Sequence, residues 1–247
     1  MNPTPDNLIF GIRAILEAIE AGTDIDRIFI KKDLSSDLAR QLFGAVKGRD
    51  IPVTRVPIEK IDRFTRKNHQ GAVAFISPVS YARVTQLLPS LYEEGRTPFF
   101  VVLDGVTDTR NFGAIARTCE CAGVDAIIIP QTGSASVTPD AVKTSAGALL
   151  SIPVCREHNL AYIVQFLKDS GVTVIAASEK ATVPYTEMDY DRPVALVMGA
   201  EDKGISPEIA ALCDEHVAIP IRGRIASLNV SVAAGVLIYE ALKHRPA

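Results

Sequence analysis

Three short stretches of this chain gather polar residues at spacings that suit chemistry. The first is Asn111-Phe-Gly-Ala-Ile-Ala-Arg117, which follows the apolar run Val101–Leu103 and the turn Asp104-Gly105. Asn111 reads as the N-cap of a helix, and Gly113 lets a ligand or a second backbone approach its first turn closely. Arg117 stands roughly two turns into that helix; a capped helix with a surface arginine explains the same residues. The second stretch, Gly199-Ala-Glu-Asp-Lys-Gly204, comes directly after the apolar run Val194–Met198. It superficially resembles a phosphate-binding loop, but Ile205 stands where that motif needs lysine. Ser206-Pro207-Glu208 then opens a helix with proline at its favoured first position. The third stretch runs from Ile219 to Ser231. Arg222, Gly223 and Arg224 come first, and Ser227 is expected to cap a long helix reaching about His244. Asn229 then falls within the first turn, where N–H groups are free and the helix dipole is positive. A capping role alone explains Ser227 better than it explains Asn229.

The elements around these stretches decide where they meet. From Pro98 onward the pattern alternates strand and helix. Strands are expected at 101–103, 126–129, 172–177, 194–198 and 216–219, and helices at 111–122, 139–150, 160–168, 207–212 and 228–244. Such alternation implies a mainly parallel sheet covered on both faces, and in open α/β sheets ligands bind outside the carboxyl ends of the strands. Upstream, Leu8–Ala21 has helical periodicity and ends at Gly22. Strands Ile25–Ile30, Ile51–Val56 and Ala72–Ile76 surround a helix at Asp37–Val46, with a polar loop at Arg63–Gln70. The expected organisation is a small α/β domain over residues 1–78, a linker over 79–97 holding one helix-like piece (Val84–Tyr92), and a larger α/β domain over 98–247.

Composition narrows the function classes. With 47% hydrophobic residues among 247, the chain has ample material for a packed core, and its net charge of −3 predicts no bulk attraction to nucleic acid. The balance is uneven: residues 1–80 hold 12 lysines and arginines against 10 acids, and the remainder is acidic. Arg63, Arg66, Lys67 and His69 cluster before the first domain's last strand, and Arg222 and Arg224 rim the third stretch. These are the candidates for contacts to a nucleic-acid backbone, should one bind, which position it without reading it; a solvated basic loop accounts for the first cluster equally well. The four cysteines lack metal-type spacing and read as small buried hydrophobes in a reducing compartment. The histidines show no metal or triad pattern. No apolar run approaches the ~20 residues of a membrane span, and Met1–Ile9 does not read as a signal peptide. A soluble, cytoplasmic protein is expected.

Taken together, the three stretches resemble the three motifs of the SpoU/TrmH branch of the SPOUT RNA methyltransferases. They match N-x-G-x-x-x-R (Asn111, Gly113, Arg117), G-x-E-x-x-G (Gly199, Glu201, Gly204) and I-P-x-x-G-x-x-x-S-L-N-V-S (Ile219 to Ser231). The first domain joins the resemblance: Gly11-Ile-Arg-Ala-Ile-Leu-Glu-Ala and Asn68-His-Gln-Gly71 are similar to the substrate-binding extension of RlmB-type members, which methylate a guanosine ribose 2′-OH in large-subunit ribosomal RNA. The chain departs from the family at Thr109, where proline is common, and at Ala177, where a threonine often lines the cofactor site. The resemblance implies S-adenosylmethionine as cofactor, a C-terminal trefoil knot, and a homodimer whose site draws on both subunits. Carried over by residue, cofactor contacts fall on Ala177, Gly199, Ile219 and Leu228.

The implied chemistry is in-line methyl transfer from a sulfonium to a hydroxyl, with loss of a poorly acidic proton. The resemblance gives Arg117 the task of activating the 2′-OH. Because guanidinium stays protonated in proteins, Arg117 is better suited to holding a phosphate bidentately and stabilising a developing alkoxide. Asn111 would orient the ribose, Glu201 would fix Arg117 or the surrounding loops, and Ser227 and Asn229 would complete the wall. Other classes stay open: a transfer RNA methyltransferase, a catalytically silent RNA-binding assembly factor, or a nucleotide- or NAD-dependent enzyme. The last lacks a G-x-G-x-x-G fingerprint.

Overall fold

The computed structural model describes residues 7–245; the opening residues, expected to carry no signal peptide, lie largely outside them. The chain divides into two compact units, one reaching to Ser80 and joined by Val137–Pro139, the other holding Tyr81–Ser136 and the chain from Asp140 on.

The first unit builds β1 (Leu8–Phe10), α1 (Ile12–Glu20), β2 (Ile25–Lys31), α2 (Asp37–Val46), β3 (Val53–Val56), α3 (Ile58–Phe64) and β4 (Ala72–Ile76). Its sheet runs β1-β4-β2-β3; β1 and β2 flank β4 antiparallel, and β3 joins β2 in parallel. The single helix expected over Leu8–Ala21 is therefore a strand followed by a helix. Gly11 separates them at a φ of 92°, a conformation that ends helical continuity and that glycine adopts freely. The polar loop expected at Arg63–Gln70 likewise begins inside α3, where Ile61 is buried. One sheet face packs Ile28, Ile30 and Ala74 against Ile12, Ile15 and Leu42 of α1 and α2.

The second unit opens with β5 (Tyr81–Ala82) and α4 (Val84–Glu93), so residues 79–97 do more than connect. β5 pairs with a later strand, and α4 buries Val84, Leu88 and Leu91 in the main core. Burial of three apolar side chains explains why this stretch folds with the larger unit. There follow β6 (Phe99–Asp104), α5 (Thr109–Cys121), β7 (Ala126–Pro130), α6 (Pro139–Thr144), β8 (Val154–Glu157), α7 (Leu160–Asp169), β9 (Thr173–Ala177), β10 (Val183–Pro184), β11 (Val194–Gly199), α8 (Pro207–Leu212), β12 (Glu215–Ala218) and α9 (Val230–Lys243). The sheet order is β10-β12-β9-β11-β6-β7-β8-β5, parallel throughout. Phe100 and Val102 of β6 pack toward α4 and α7. Val101 and Leu103 alternate to the other face, where α5 and α9 pack on each other. The helix expected at 139–150 stops early: Ala146 and Gly147 take left-handed φ values of 52° and 89°, and a short 3₁₀ turn replaces its end.

Arg245 holds the end of α9 to the sheet. Its guanidinium lies 4.8 Å from the Phe99 ring and donates to the carbonyls of Arg192 and Pro98 at 3.0 and 3.1 Å.

Candidate active site

The three polar stretches meet at the carboxyl ends of β6, β9, β11 and β12. β11 and β6 run in register to Gly199 and Asp104. Beyond them the chain from Ala200 to Gly204 closes on itself, with Ala200 N–H donating to Gly204 O at 3.0 Å and Gly204 N–H donating back at 2.8 Å. A Cβ on Gly199 would lie 2.1 Å from the Gly204 carbonyl carbon, so no larger residue fits this turn without moving it. Asp104 pins the turn's far end by accepting the Ser206 N–H at 2.7 Å.

Two expected caps are corrected. Asp108, not Asn111, caps α5, accepting the N–H groups of Arg110 and Asn111 at 2.9 and 2.8 Å. Asn229, not Ser227, caps α9: its Oδ1 accepts Ser231 N–H at 2.9 Å and the Ser231 hydroxyl at 2.6 Å. Capping thereby frees Asn111 and commits Asn229. The Asn111 amide donates to Glu201 Oε1 at 2.9 Å. Asn229 Nδ2 donates to the same carboxylate oxygen and to Asn111 Oδ1, the latter at 3.1 Å. One residue from each stretch thus joins in a single side-chain cluster. Gly113 serves backbone approach rather than a ligand, since a Cβ there would meet Thr144 at 2.8 Å and the Ala141 carbonyl at 3.0 Å.

Beside Glu201 opens a cavity of about 350 Å³ whose lining includes Ala177, Gly199, Ile219 and Leu228, together with Ser227. All four expected cofactor positions therefore border one space, of the size usual for small-molecule sites, roughly 300–1,000 Å³. Its wall combines the apolar Met198 and Val217 with the charged Lys180 and Lys203. That mixture suits a nucleoside carrying both apolar and ionic parts, so the residues fit S-adenosylmethionine. Acidic Glu179 and Asp202 also border it.

Arg117 stands apart. Six residues beyond Asn111 on α5, it lies about 120° around the helix axis, is exposed, and its side chain has no hydrogen bond or ion pair among the described residues. Arg222 and Arg224 lie in a wholly exposed loop, residues 220–229. Arg63, Arg66 and Lys67 are exposed in the first unit. Sequence reasoning missed Asp108, Ser231 and Asp104. Asp108 carried a signal, being a favoured cap residue three positions before Asn111; Asp104 carried none, because its partner lies 102 residues away.

Comparison with known proteins identifies the family. Residues 98–239 match the model of the SpoU rRNA methylase family, and residues 8–82 match a model for RNA 2′-O ribose methyltransferase substrate binding. A protein named as a TrmH family tRNA/rRNA methyltransferase in Staphylococcus saprophyticus is 34% identical over 96% of each chain. Another so named, from Bacillus subtilis, is 32% identical over 96% of this chain and 95% of its own. The crystal structure of an AdoMet-bound rRNA methyltransferase from Sinorhizobium meliloti superposes with a TM-score of 0.61 at 27% identity, covering 96% of this chain and 87% of that one. With both units matched and a relative 34% identical over 96% of each chain, this chain belongs to the SpoU/TrmH family of S-adenosylmethionine-dependent RNA 2′-O-ribose methyltransferases.

Proposed function

We propose that this protein methylates the ribose 2′-OH of a guanosine in large-subunit ribosomal RNA, working in the cytoplasm as a homodimer. The observation that carries the reading is the Asn111–Glu201–Asn229 cluster at the edge of the Ala177–Gly199–Ile219–Leu228 cavity. The first unit, up to about residue 78, serves as the RNA-binding domain. The resemblance of Gly11–Ala18 and Asn68–Gly71 to RlmB-type enzymes favours ribosomal over transfer RNA.

Bound S-adenosylmethionine supplies an electrophilic methyl group on a sulfonium. The chain's own residues then hold and polarise the nucleophile. Main-chain groups at Gly199, Ile219 and Leu228 hold the cofactor, with Ala177 closing one wall. Glu201, fixed by two amides, sets the positions of Asn111 and Asn229, and Asn111 orients the ribose. Ser227 completes the wall. Arg117 binds the adjacent phosphate and stabilises the developing alkoxide; the phosphate or water takes the proton. Orientation of this kind is worth orders of magnitude in rate.

Arg117 is exposed and makes no bond to its own cluster, which supports a site shared between subunits. A surface for the second copy is at hand. Val232 and Tyr239 are exposed on α9, and a Cβ on Gly235 between them would lie 4.0 Å from Thr118, the residue after Arg117. The C-terminal trefoil knot belongs to the same reading and rests on membership of the family. Arg222 and Arg224, on the exposed loop, contribute to the RNA path.

The test is transfer of labelled methyl from S-adenosylmethionine to unmodified total RNA, separated by size, with wild type and Arg117→Ala. Label in large-subunit ribosomal RNA that vanishes in the variant supports the reading. Label in transfer RNA, which the relatives' names also allow, keeps the chemistry and overturns the substrate. Cofactor binding without any transfer overturns the enzyme in favour of a silent RNA-binding factor.

A further inference from the structure

The first unit's sheet is covered unequally. On the face away from α1 and α2, β1 presents Leu8 and Phe10, β4 presents Val73 and Phe75, and β2 presents Phe29. Among the described residues the seven-residue α3 covers this face, through Ile61 and Phe64. Three of the rings form a contiguous group. Phe29 and Phe64 stack at 5.3 Å with an interplanar angle of 23°, and Phe75 meets Phe64 edge-on at 5.2 Å and 82°. Phe29 is nearly buried at 8% exposure, but Phe10, Phe64 and Phe75 remain half-buried.

Cations stand over and around these rings. Lys60 Nζ lies 5.0 Å from the Phe29 centroid and Lys67 Nζ 5.4 Å from the Phe10 centroid. Arg63 and Arg66 are exposed on the same short segment. Among the described residues none of these four forms an ion pair. Of the neighbouring acids, Asp62 lies 2.9 Å from His69 Nε2, and Glu59 shares a shallow hollow with Lys60, Arg63 and Phe64.

We propose that this face binds an unpaired stretch of the substrate RNA, with bases stacking on Phe10, Phe64 and Phe75 and phosphates held by Lys60, Arg63, Arg66 and Lys67. The inference rests on the RNA methyltransferase reading and adds where, and in what form, the RNA is held. A duplex hides its base faces, so rings gain nothing from it beyond phosphate contact; splayed bases stack on aromatic side chains whatever their sequence. An acidic protein partner would use the cations and leave the rings idle. Unpaired cations beside half-buried rings suit a polyanion that carries its own aromatic faces.

The experiment measures binding of a short mixed-sequence RNA, single-stranded or annealed to its complement, to the full chain and to Phe75→Leu, Phe10→Leu and the Lys60→Ala/Lys67→Ala pair. Single-stranded RNA is expected to bind tighter than duplex. Each leucine variant should lose roughly tenfold, the scale of one stacking contact. The lysine pair should flatten the salt dependence of single-strand binding by about 1.4 in log–log slope. S-adenosylmethionine affinity should not change. Equal binding of duplex, or wild-type affinity in all variants, overturns the proposal. Full competition by polyglutamate overturns it in favour of an acidic partner. Should leucine destabilise the packed rings, the exposed lysine pair still decides. Methyl transfer by wild type with an unaltered RNA KM in the variants sinks this surface alone, whereas no transfer by wild type sinks the underlying reading.

Discussion

Asn229 and Glu201 are joined by the same side chain that starts helix α9. Asn229 Oδ1 caps the helix at Ser231, while its Nδ2 donates to Glu201 Oε1. The cap fixes the amide plane and so fixes where the nitrogen points, and secondary structure thereby orients a side chain at the cavity edge.

The two halves of that amide separate experimentally. Asn229→Asp keeps the capping oxygen but sets a carboxylate against Glu201; Asn229→Ala removes both functions. The alanine variant should lose roughly 1 kcal/mol of stability, the usual cost of a lost cap, whereas both should lose about 10²-fold in kcat, as misplacement of reacting groups does. Thermal melts paired with steady-state methyl transfer measure both. An Asn229→Asp enzyme of normal kcat shows the contact to Glu201 to be dispensable.

Glu201→Gln retains a carbonyl oxygen to accept from Asn111 and Asn229, and Glu201→Ala retains nothing. If the residue acts by holding the cluster, glutamine should recover most of the activity that alanine loses. Equal loss in both would show that the negative charge, not the hydrogen bonds, matters.

The proposal that Arg117 serves the partner's cavity has a sharp consequence. Arg117→Ala and Glu201→Ala, each inactive alone, should regain about a quarter of wild-type activity when subunits are mixed and exchanged, since half the dimers are mixed and each holds one intact site. No recovery after demonstrated exchange puts Arg117 and Glu201 to work within one chain.

Gly199→Ala places a Cβ where the Gly204 carbonyl carbon lies, 2.1 Å away. The turn must move, and with it the cavity wall. Cofactor affinity should fall at least tenfold, with a stability loss of about 1–3 kcal/mol, the scale of overpacking. Calorimetric titration with S-adenosylmethionine measures it; unchanged affinity would exclude the turn from the cofactor site.

Burial governs the thiols. It pushes Cys155 and Cys213 up to about 12, and Cys119 is also raised by burial. Since the thiolate is the reactive form, all three should resist alkylation near pH 8 in the native protein. Cys121, exposed on α5, should react first. Mass spectrometry of the labelled peptides reads the order, and early labelling of Cys155 would show that its helix layer opens readily.

The alternation of apolar runs and helical segments made the larger sheet legible, because a buried parallel strand must be apolar on both faces and its connections must be helical. The three motifs could be read as well: type and spacing drew attention to Asn111 and Asn229, and the family resemblance added Glu201. What the sequence left open depended on distant partners. β1 was hidden inside a helical pattern, since its strand state comes from pairing with β4, some 65 residues on. The stretch before Pro98 read as a linker because its three buried side chains find their core only in the folded unit. The caps were misplaced by a few residues, because Asp108 and Asn111, like Ser227 and Asn229, are chemically able to do the same job. Only the tertiary structure decided which side chain caps and which turns toward Glu201. Local chemistry admits several hydrogen-bond partners of similar energy, and packing selects one.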